Sequence, residues 1–221
     1  MGRFFNLPLQ KNLSFEKGEV FIFFFFCDII TGMKYHKKVL EIVFFARGGQ
    51  GAKTAAEILA QAALTEGKFV QTFPSFGPER SGAPTKTYLR VSSEPIRSKE
   101  PIVDPDVVVV LDETLLESQT VTDGLDRNEA LIINSAKSAE EIREMVHYAG
   151  KIHCIDANGI SRDVIGQPRP NTVILGKLVK VTELVALKTV MEEFREIFEA
   201  KIGKENCEKN ILAIEKAYDA V

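Results

Sequence analysis

Two short segments that lie close together in this chain carry residue types suited to binding a charged small molecule. Residues 47–51 read RGGQG and open an alanine-rich stretch, and residues 73–84 read FPSFGPERSGAP. Backbone N–H groups at the start of a helix attract anions, and Arg80 offers a planar pair of donors to a carboxylate or phosphate. Glu79 could accept a proton or simply pair with Arg80. Charged loops punctuated by glycine and proline are typical of binding sites on a rigid scaffold.

Neither of two common phosphate-binding motifs is complete in the first segment. A P-loop requires GxxxxGK followed by Ser or Thr, but Ala52 stands where the second glycine belongs and Arg47 where the first belongs. The dinucleotide motif GxGxxG would end at Thr54, and the next strand offers no terminal acid for a ribose. The sequence therefore disfavours nucleotide hydrolysis and NAD binding, while a tight strand-to-helix turn without a ligand stays open.

Acidic side chains that follow predicted strands have both a binding and a structural interpretation. Asp112 and Glu113 come directly after an apolar run, at the sheet edge where open α/β folds bind ligands. Asp112 is also placed to cap a helix that starts near Thr114, and we favour the cap. The same two interpretations apply to Asp156 and Asn158, which follow another strand.

The elements that would position these residues alternate between strands and helices. Runs of β-branched and apolar residues predict strands, and apolar residues at helical spacing predict helices. The recurring order strand, helix, strand favours an α/β fold with a largely parallel sheet. Gly176 lies inside one predicted helix, where we expect it to allow close packing on the sheet. Strands are predicted at residues 39–46, 68–73, 85–91, 107–111, 131–133 and 151–155, and helices at residues 52–64, 138–148, 171–187, 187–198 and 204–218.

Composition and charge exclude several classes of protein. The net charge is -3 with a pI of about 5.8, and no dense basic stripe occurs, so we do not expect a nucleic-acid partner. The three cysteines form no CxxC pair and the three histidines no i, i+4 pair, which argues against a disulfide framework and against a metal or iron–sulfur site. We expect a protein of the reducing cytoplasm whose partners are small molecules or other proteins.

Residues 1–32 do not share the pattern of the rest of the chain. They hold eight of the fifteen phenylalanines without a helix or strand period. The apolar run at residues 20–26 is shorter than the roughly 20 residues that span a bilayer, and no signal-peptide cleavage site follows it. Met33 precedes a short basic stretch and a strand. We therefore expect residues 1–32 to be an extension from a misassigned start, and the domain to comprise residues 33–221.

Three segments resemble the gamma subunit of pyruvate and related 2-oxoacid:ferredoxin oxidoreductases. They read RGGQGAKTAAEILAQAAL, FPSFGPERSGAPTKTYLRVS and PDVVVVLDETLL, and the resemblance covers roughly residues 33–221. It implies a three-layer, Rossmann-like α/β fold. It also implies a reversible reaction that converts pyruvate, coenzyme A and oxidised ferredoxin into acetyl-coenzyme A, CO2 and reduced ferredoxin. Thiamine diphosphate, Mg²⁺ and iron–sulfur clusters would be held by alpha, beta and delta subunits and not by this chain.

The second segment bears on the substrate within that family. GPER followed by GAP resembles enzymes of pyruvate or branched-chain 2-oxoacids, so pyruvate is the first expectation and 2-oxoisovalerate the second. A non-catalytic assembly module is the remaining alternative, and the chain is not expected to be active alone. The resemblance implies that the glycine-bearing loops face the active-site cleft, near coenzyme A or the alpha and beta partners, through Gly48, Gly49, Gln50, Gly51, Gly77, Pro78, Glu79, Arg80, Gly82 and Ala83.

Overall fold

A computed structural model describes residues 38–75 and 81–220, which form a six-stranded sheet with helices packed on it. The predicted extension at residues 1–32 lies outside the described residues. None of the helices described is both long enough and apolar enough to cross a membrane. The strands are β1 (Val39–Arg47), β2 (Phe69–Pro74), β3 (Pro84–Ser92), β4 (Val107–Val110), β5 (Ala130–Asn134) and β6 (Lys151–Ile155). The helices are α1 (Ala52–Thr65), α2 (Ala139–Val146), α3 (Ala157–Ile165), α4 (Pro170–Thr182), α5 (Leu187–Ile202) and α6 (Lys204–Asp219), with a 3-10 helix at Glu113–Glu117.

The sheet is mostly parallel, as the alternation of elements predicts. Its strand order is β2-β3-β1-β4-β5-β6, and β3 runs in the opposite direction to the other five strands. The reversal has a simple cause, because residues 75–83 are too few for the crossover of about a dozen or more residues that a parallel connection requires. The carboxyl ends of β1 and β4 consequently lie side by side with the start of β3 at one edge of the sheet.

One face of the sheet carries the larger core. Helix α1 packs on it with small side chains, including Ala55 and Ala56, that let the helix approach the strands. Helix α4 is buried from Thr172 to Val179 because it lies between the sheet and α6. We expected Gly176 to allow close packing of this helix on the sheet, but its closest neighbour is another helix. A Cβ there would lie 2.0 Å from the carbonyl oxygen of Ile214, so its close approach is to α6.

The opposite face has a smaller core beneath α2 and the 3-10 helix. Val108 and Val110 of β4 pack there with Leu115 and Ile142, while Val109 points into the larger core. All four residues of β4 are buried, which confirms the prediction of a central strand covered on both sides. Two layers of helices on one sheet give the predicted three-layer fold.

One helix prediction was wrong in its end, and one helix was not predicted. The helix predicted at residues 171–187 ends at Thr182, where Glu183 adopts a left-handed backbone with φ 51°, and a new helix begins at Leu187. Helix α3 was missed because its Asn-Gly pair at residues 158–159 is typical of a turn. Asp156 stabilises this helix start instead, since its side chain accepts a hydrogen bond of 2.7 Å from the N–H of Gly159.

Candidate functional site

The structure joins the two segments in which the sequence places candidate binding residues. The N–H of Gly48 donates to the carbonyl of Ala83 over 2.8 Å, and the N–H of Gly82 donates to the carbonyl of Gly48 over 3.1 Å. These bonds continue the antiparallel pairing of β1 with β3 one step beyond the strand ends, where Arg47 lies opposite Pro84. Gly48, Gly82 and Ala83 therefore form one structural unit.

The turn between β1 and α1 depends on glycine at two positions. Gly49 and Gly51 have φ angles of 93° and 81°, in the left-handed region that glycine adopts at little cost. Gly51 has a second constraint, because a Cβ would lie 2.6 Å from the side-chain nitrogen of Asn171. No side chain among the described residues caps α1. Its first-turn N–H groups lack intrahelical partners and sit at the positive end of the helix dipole, so they favour an anion.

Gln50 is directed into the protein framework. Its Oε1 accepts a bond of 2.7 Å from the N–H of Arg47, and its Nε2 donates over 2.6 Å to Oδ2 of Asp112. Both ends of the amide are thus engaged, and the side chain fixes the turn to the end of the neighbouring strand β4.

Asp112 is the predicted helix cap and also a partner of the glycine turn. Its Oδ1 accepts from the N–H and the hydroxyl of Thr114 over 3.0 and 2.6 Å, while Oδ2 lies 3.3 Å from Nε of Arg47. Burial alone would raise the pKa of Asp112, but the hydrogen bonds from Thr114 and Gln50 and the charge of Arg47 outweigh it and lower that pKa. Asp112 is therefore a stable anion that accepts hydrogen bonds, not a proton carrier.

Glu113 is engaged in a separate structural contact. It accepts hydrogen bonds from Lys137 and Ser135. Although burial would raise the pKa of Glu113, these bonds lower it. Both acidic residues after β4 thus have internal partners and neither is poised for acid–base chemistry.

A cavity of about 720 Å³ opens beside the glycine turn. Gly49, Gln50 and Gly51 form one wall, which brings three of the predicted residues to it. The start of α4 forms a second wall, and Asn158 from the start of α3 also contributes. Stacked rings of Phe194 and Phe198 from α5, with centroids 4.8 Å apart, and two asparagines from α6 also line it.

Sequence reasoning missed the contribution of α4 to this cavity. Arg169 precedes Pro170 at the helix start, lines the cavity and is exposed. Within the part of the chain that the structure describes, no side chain caps α4, so the cavity receives a second helix N-terminus together with a guanidinium group. A sequence signal existed, because proline favours the first position of a helix and Arg169-Pro170-Asn171 therefore marks a helix start.

The remaining predicted residues lie outside the described part of the chain. They are Gly77, Pro78, Glu79 and Arg80. Whether Glu79 and Arg80 pair with each other or bind a ligand stays a prediction. Among residues 38–75 and 81–220, no three His, Cys, Asp or Glu side chains are grouped closely enough to hold a metal ion.

Comparison with known families identifies the chain. Residues 41–220 match the pyruvate ferredoxin/flavodoxin oxidoreductase family, which is most of the sequence. This chain belongs to that family. The family resemblance predicted from the glycine turn, the FGPERSGAP segment and the β4 region is therefore confirmed.

Individual members of the oxidoreductase family are similar over nearly their whole length. The common gamma subunit of the pyruvate/ketoisovalerate oxidoreductases of Thermococcus kodakarensis is 48% identical over 182 residues, which are 82% of this chain and 96% of that protein. The pyruvate synthase subunit PorC of Thermotoga maritima is 41% identical over 189 residues, which are 86% of this chain and 98% of that subunit. These relatives are subunits of oxidoreductase complexes.

A solved structure from the family has the same fold. The crystal structure of the pyruvate oxidoreductase subunit PORC of Thermotoga maritima superposes with a TM-score of 0.75 at 39% identity, covering 83% of this chain and 97% of that one. The predicted three-layer α/β fold is thereby confirmed in an experimental relative.

Proposed function

We propose that this chain is the gamma subunit of a multi-subunit pyruvate:ferredoxin oxidoreductase. The observation that carries the proposal is the similarity to gamma subunits and PorC over at least 96% of their length. The reaction is the reversible conversion of pyruvate, coenzyme A and oxidised ferredoxin into acetyl-coenzyme A, CO2 and reduced ferredoxin. Two electrons leave pyruvate as its carboxylate is released as CO2, and ferredoxin accepts them while the coenzyme thiol takes the acetyl group.

In this proposal the chain contributes a binding wall to an active site whose reactive groups lie on other subunits. Alpha, beta and delta partners hold thiamine diphosphate, Mg²⁺ and the iron–sulfur clusters, and ferredoxin docks on the complex. Thiamine diphosphate supplies the carbanion stabilisation that decarboxylation of a 2-oxoacid needs. The assembly belongs in a reducing cytoplasm, where such clusters persist.

The cavity suits an elongated anionic molecule such as coenzyme A. The uncapped starts of α1 and α4 and the guanidinium of Arg169 attract phosphate groups, since helix N-termini and arginine both donate to phosphate oxygens. Phe198, which is half-buried and stacks on the buried ring of Phe194, offers an apolar surface on which an adenine ring could pack. Gly49, Gly51 and Arg169 would orient the coenzyme.

The test of the proposal is the composition and specificity of the native assembly. The full chain is tagged in its host and the assembly purified. We expect thiamine diphosphate, iron–sulfur clusters and partner subunits to copurify, and the assembly to reduce ferredoxin with pyruvate only when coenzyme A is present. A preference for 2-oxoisovalerate over pyruvate would make 2-oxoisovalerate the substrate of the complex. An assembly without thiamine diphosphate would overturn the proposed function.

Arginine variants separate a binding role from an assembly role. We expect Arg80→Ala and Arg169→Ala to raise the KM for coenzyme A about tenfold or more, as for loss of one charge-assisted hydrogen bond. Arg97→Ala is the control, because Arg97 is exposed and does not line the cavity. Unchanged KM values for pyruvate and coenzyme A with a lower yield of complex would instead favour the assembly module.

A further inference from the structure

Three segments of the chain meet in one hydrogen-bonded group beside the glycine turn. We call the side chains of Arg47, Gln50, Asp112 and Thr114 the Arg47–Asp112 network. Arg47 ends β1, Gln50 lies in the turn, and the other two follow β4. The network connects positions 62 to 67 residues apart in the sequence, so it adds side-chain contacts between the glycine turn and the end of β4, beside which the sheet places β1.

Arg47 is the centre of this network because its guanidinium contacts three groups at once. Its Nη1 donates to the carbonyl of Gly82 over 3.2 Å, its Nη2 donates to the hydroxyl of Thr114 over 2.6 Å, and its Nε lies 3.3 Å from Oδ2 of Asp112. The fork geometry of arginine suits such multiple contacts, and lysine cannot reproduce them. The side chains of Arg47 and Asp112 are 32% and 18% exposed, so water screens the pair only in part.

Backbone hydrogen bonds also hold the glycine turn, from the N–H of Gln50 to the carbonyl of Arg47 over 3.0 Å and between Gly48 and residues 82–83, but these bonds do not reach the end of β4. Gly49 and Gly51 flank Gln50, and glycine loses more conformational freedom on ordering than any other residue. No side chain in residues 38–75 and 81–220 caps the helix that follows. The network holds Gln50 by both ends of its amide, and it holds the second loop through Gly82. The network therefore restrains both the glycine turn, which lines the cavity, and the backbone at Gly82, which is hydrogen-bonded to that turn.

We propose that Arg47 and Asp112 are positioning residues that hold the glycine turn in the conformation that binds an anionic ligand. The inference deepens the proposed function and rests on it. Neither residue lines the cavity, so both act through Gln50 and the backbone of the turn. A turn that is already ordered loses little conformational freedom when the ligand binds. The affinity for the ligand is therefore higher, while the chemical step is unchanged.

The kinetic arm of the test uses the assembled complex with Arg47→Met, Arg47→Lys and Asp112→Asn. We expect each to raise the KM for coenzyme A about tenfold, which corresponds to roughly 1.4 kcal/mol, with kcat at saturating coenzyme A and the KM for pyruvate unchanged. Arg47→Lys keeps the charge and loses the fork, so it separates geometry from charge. Lys38→Met is the matched control, because Lys38 precedes the opposite end of β1 and forms an exposed ion pair of 3.3 Å with Glu94.

The second arm measures amide hydrogen exchange in the full chain and needs no catalysis. We expect faster exchange at residues 48–55 and 81–85 in the Arg47 and Asp112 variants, and unchanged exchange in the core strand β4. Unaltered exchange at these residues would overturn the inference even if the complex is an active oxidoreductase. Faster exchange with an unchanged KM for coenzyme A would overturn the binding role. A wild-type complex that fails to oxidise pyruvate would contradict the proposed function, while the exchange data would still decide whether the network orders the turn.

Discussion

At the scale of single residues, the acidic groups at the sheet edge are internal partners. Asp112 binds Arg47, Gln50 and Thr114, and Glu113 binds Lys137. With these carboxylates engaged, the polar groups of the described residues that face the cavity include backbone N–H groups, amides, threonine hydroxyls and Arg169, but no carboxylate. Such a set favours binding of an anion over proton transfer, which agrees with a subunit that positions a substrate while other subunits carry out the chemistry.

Glu66 provides a residue-scale prediction about pH. Its carboxylate accepts from the N–H of Ala186 over 2.7 Å and from Lys68 over 3.0 Å, connecting the end of α1 to the start of α5. Burial would raise the pKa of Glu66, but these hydrogen bonds lower it below 4.5. A carboxyl group whose pKa is lowered by folding stabilises the protein above its unfolded pKa, and this contribution disappears as the pH falls through the folded value.

Glu66→Gln should therefore lower the free energy of unfolding at neutral pH and flatten its dependence on pH below 4.5. Urea unfolding of the variant and the wild type at neutral and at acidic pH measures the free energies of unfolding to be compared. Glu57→Gln is the control, since Glu57 lies on the exposed face of the same helix and forms only a surface ion pair of 3.6 Å with Lys53. Equal acid sensitivity of the Glu66 variant and the wild type would show that this contact contributes nothing.

At the scale of elements, the contact between α4 and α6 depends on Gly176. An alanine there would place its Cβ 2.0 Å from the carbonyl oxygen of Ile214 and 2.8 Å from the backbone nitrogen of Tyr218, so the helices would have to separate. We expect Gly176→Ala to lower the free energy of unfolding by about 3 kcal/mol or more, at the upper end of the cost of overpacking. Thermal denaturation measures the loss.

The matched control for this contact is Gly67→Ala. Gly67 has a φ of 78° but no atom within 4 Å of the position of a Cβ, so its substitution costs only backbone strain of about 1 kcal/mol. A Gly176→Ala protein no less stable than Gly67→Ala would contradict the close packing of the two helices.

Local patterns predict most of these elements, whereas contacts between distant segments require the fold. The valine run of β4 and the alanine spacing of α1 are local signals, and both elements form where predicted. The cap at Asp112 is also local. Its pairing with Arg47 arises only because the sheet places β1 beside β4, and the role of Arg169 arises only because α4 starts opposite the glycine turn. Gly176 likewise contacts a helix that lies far along the chain.

At the scale of the whole molecule, the cavity combines early and late parts of the domain. The glycine turn supplies one wall, and helices α5 and α6 supply another. The family match begins at residue 41, and we predict that the chain beginning at Met33 contains everything the cavity requires. Deleting residues 1–32 should leave the melting temperature and the incorporation into the complex unchanged.

Thermal denaturation and copurification with the partner subunits measure the effect of that deletion. A second deletion, of the last helix α6, is the comparison, because its buried side chains cover Gly176 and α4. We expect this second protein not to fold. Failure of the chain beginning at Met33 to assemble would show that the N-terminal segment belongs to the functional subunit.

The most direct measurement of the central claim is pyruvate-dependent reduction of ferredoxin by the complex reconstituted with and without this chain. The account predicts that the partner subunits alone give little acetyl-coenzyme A, that adding the chain restores coenzyme A-dependent turnover, and that the chain alone is inactive. Full activity of the complex without the chain, or turnover of pyruvate by the chain alone, would contradict it.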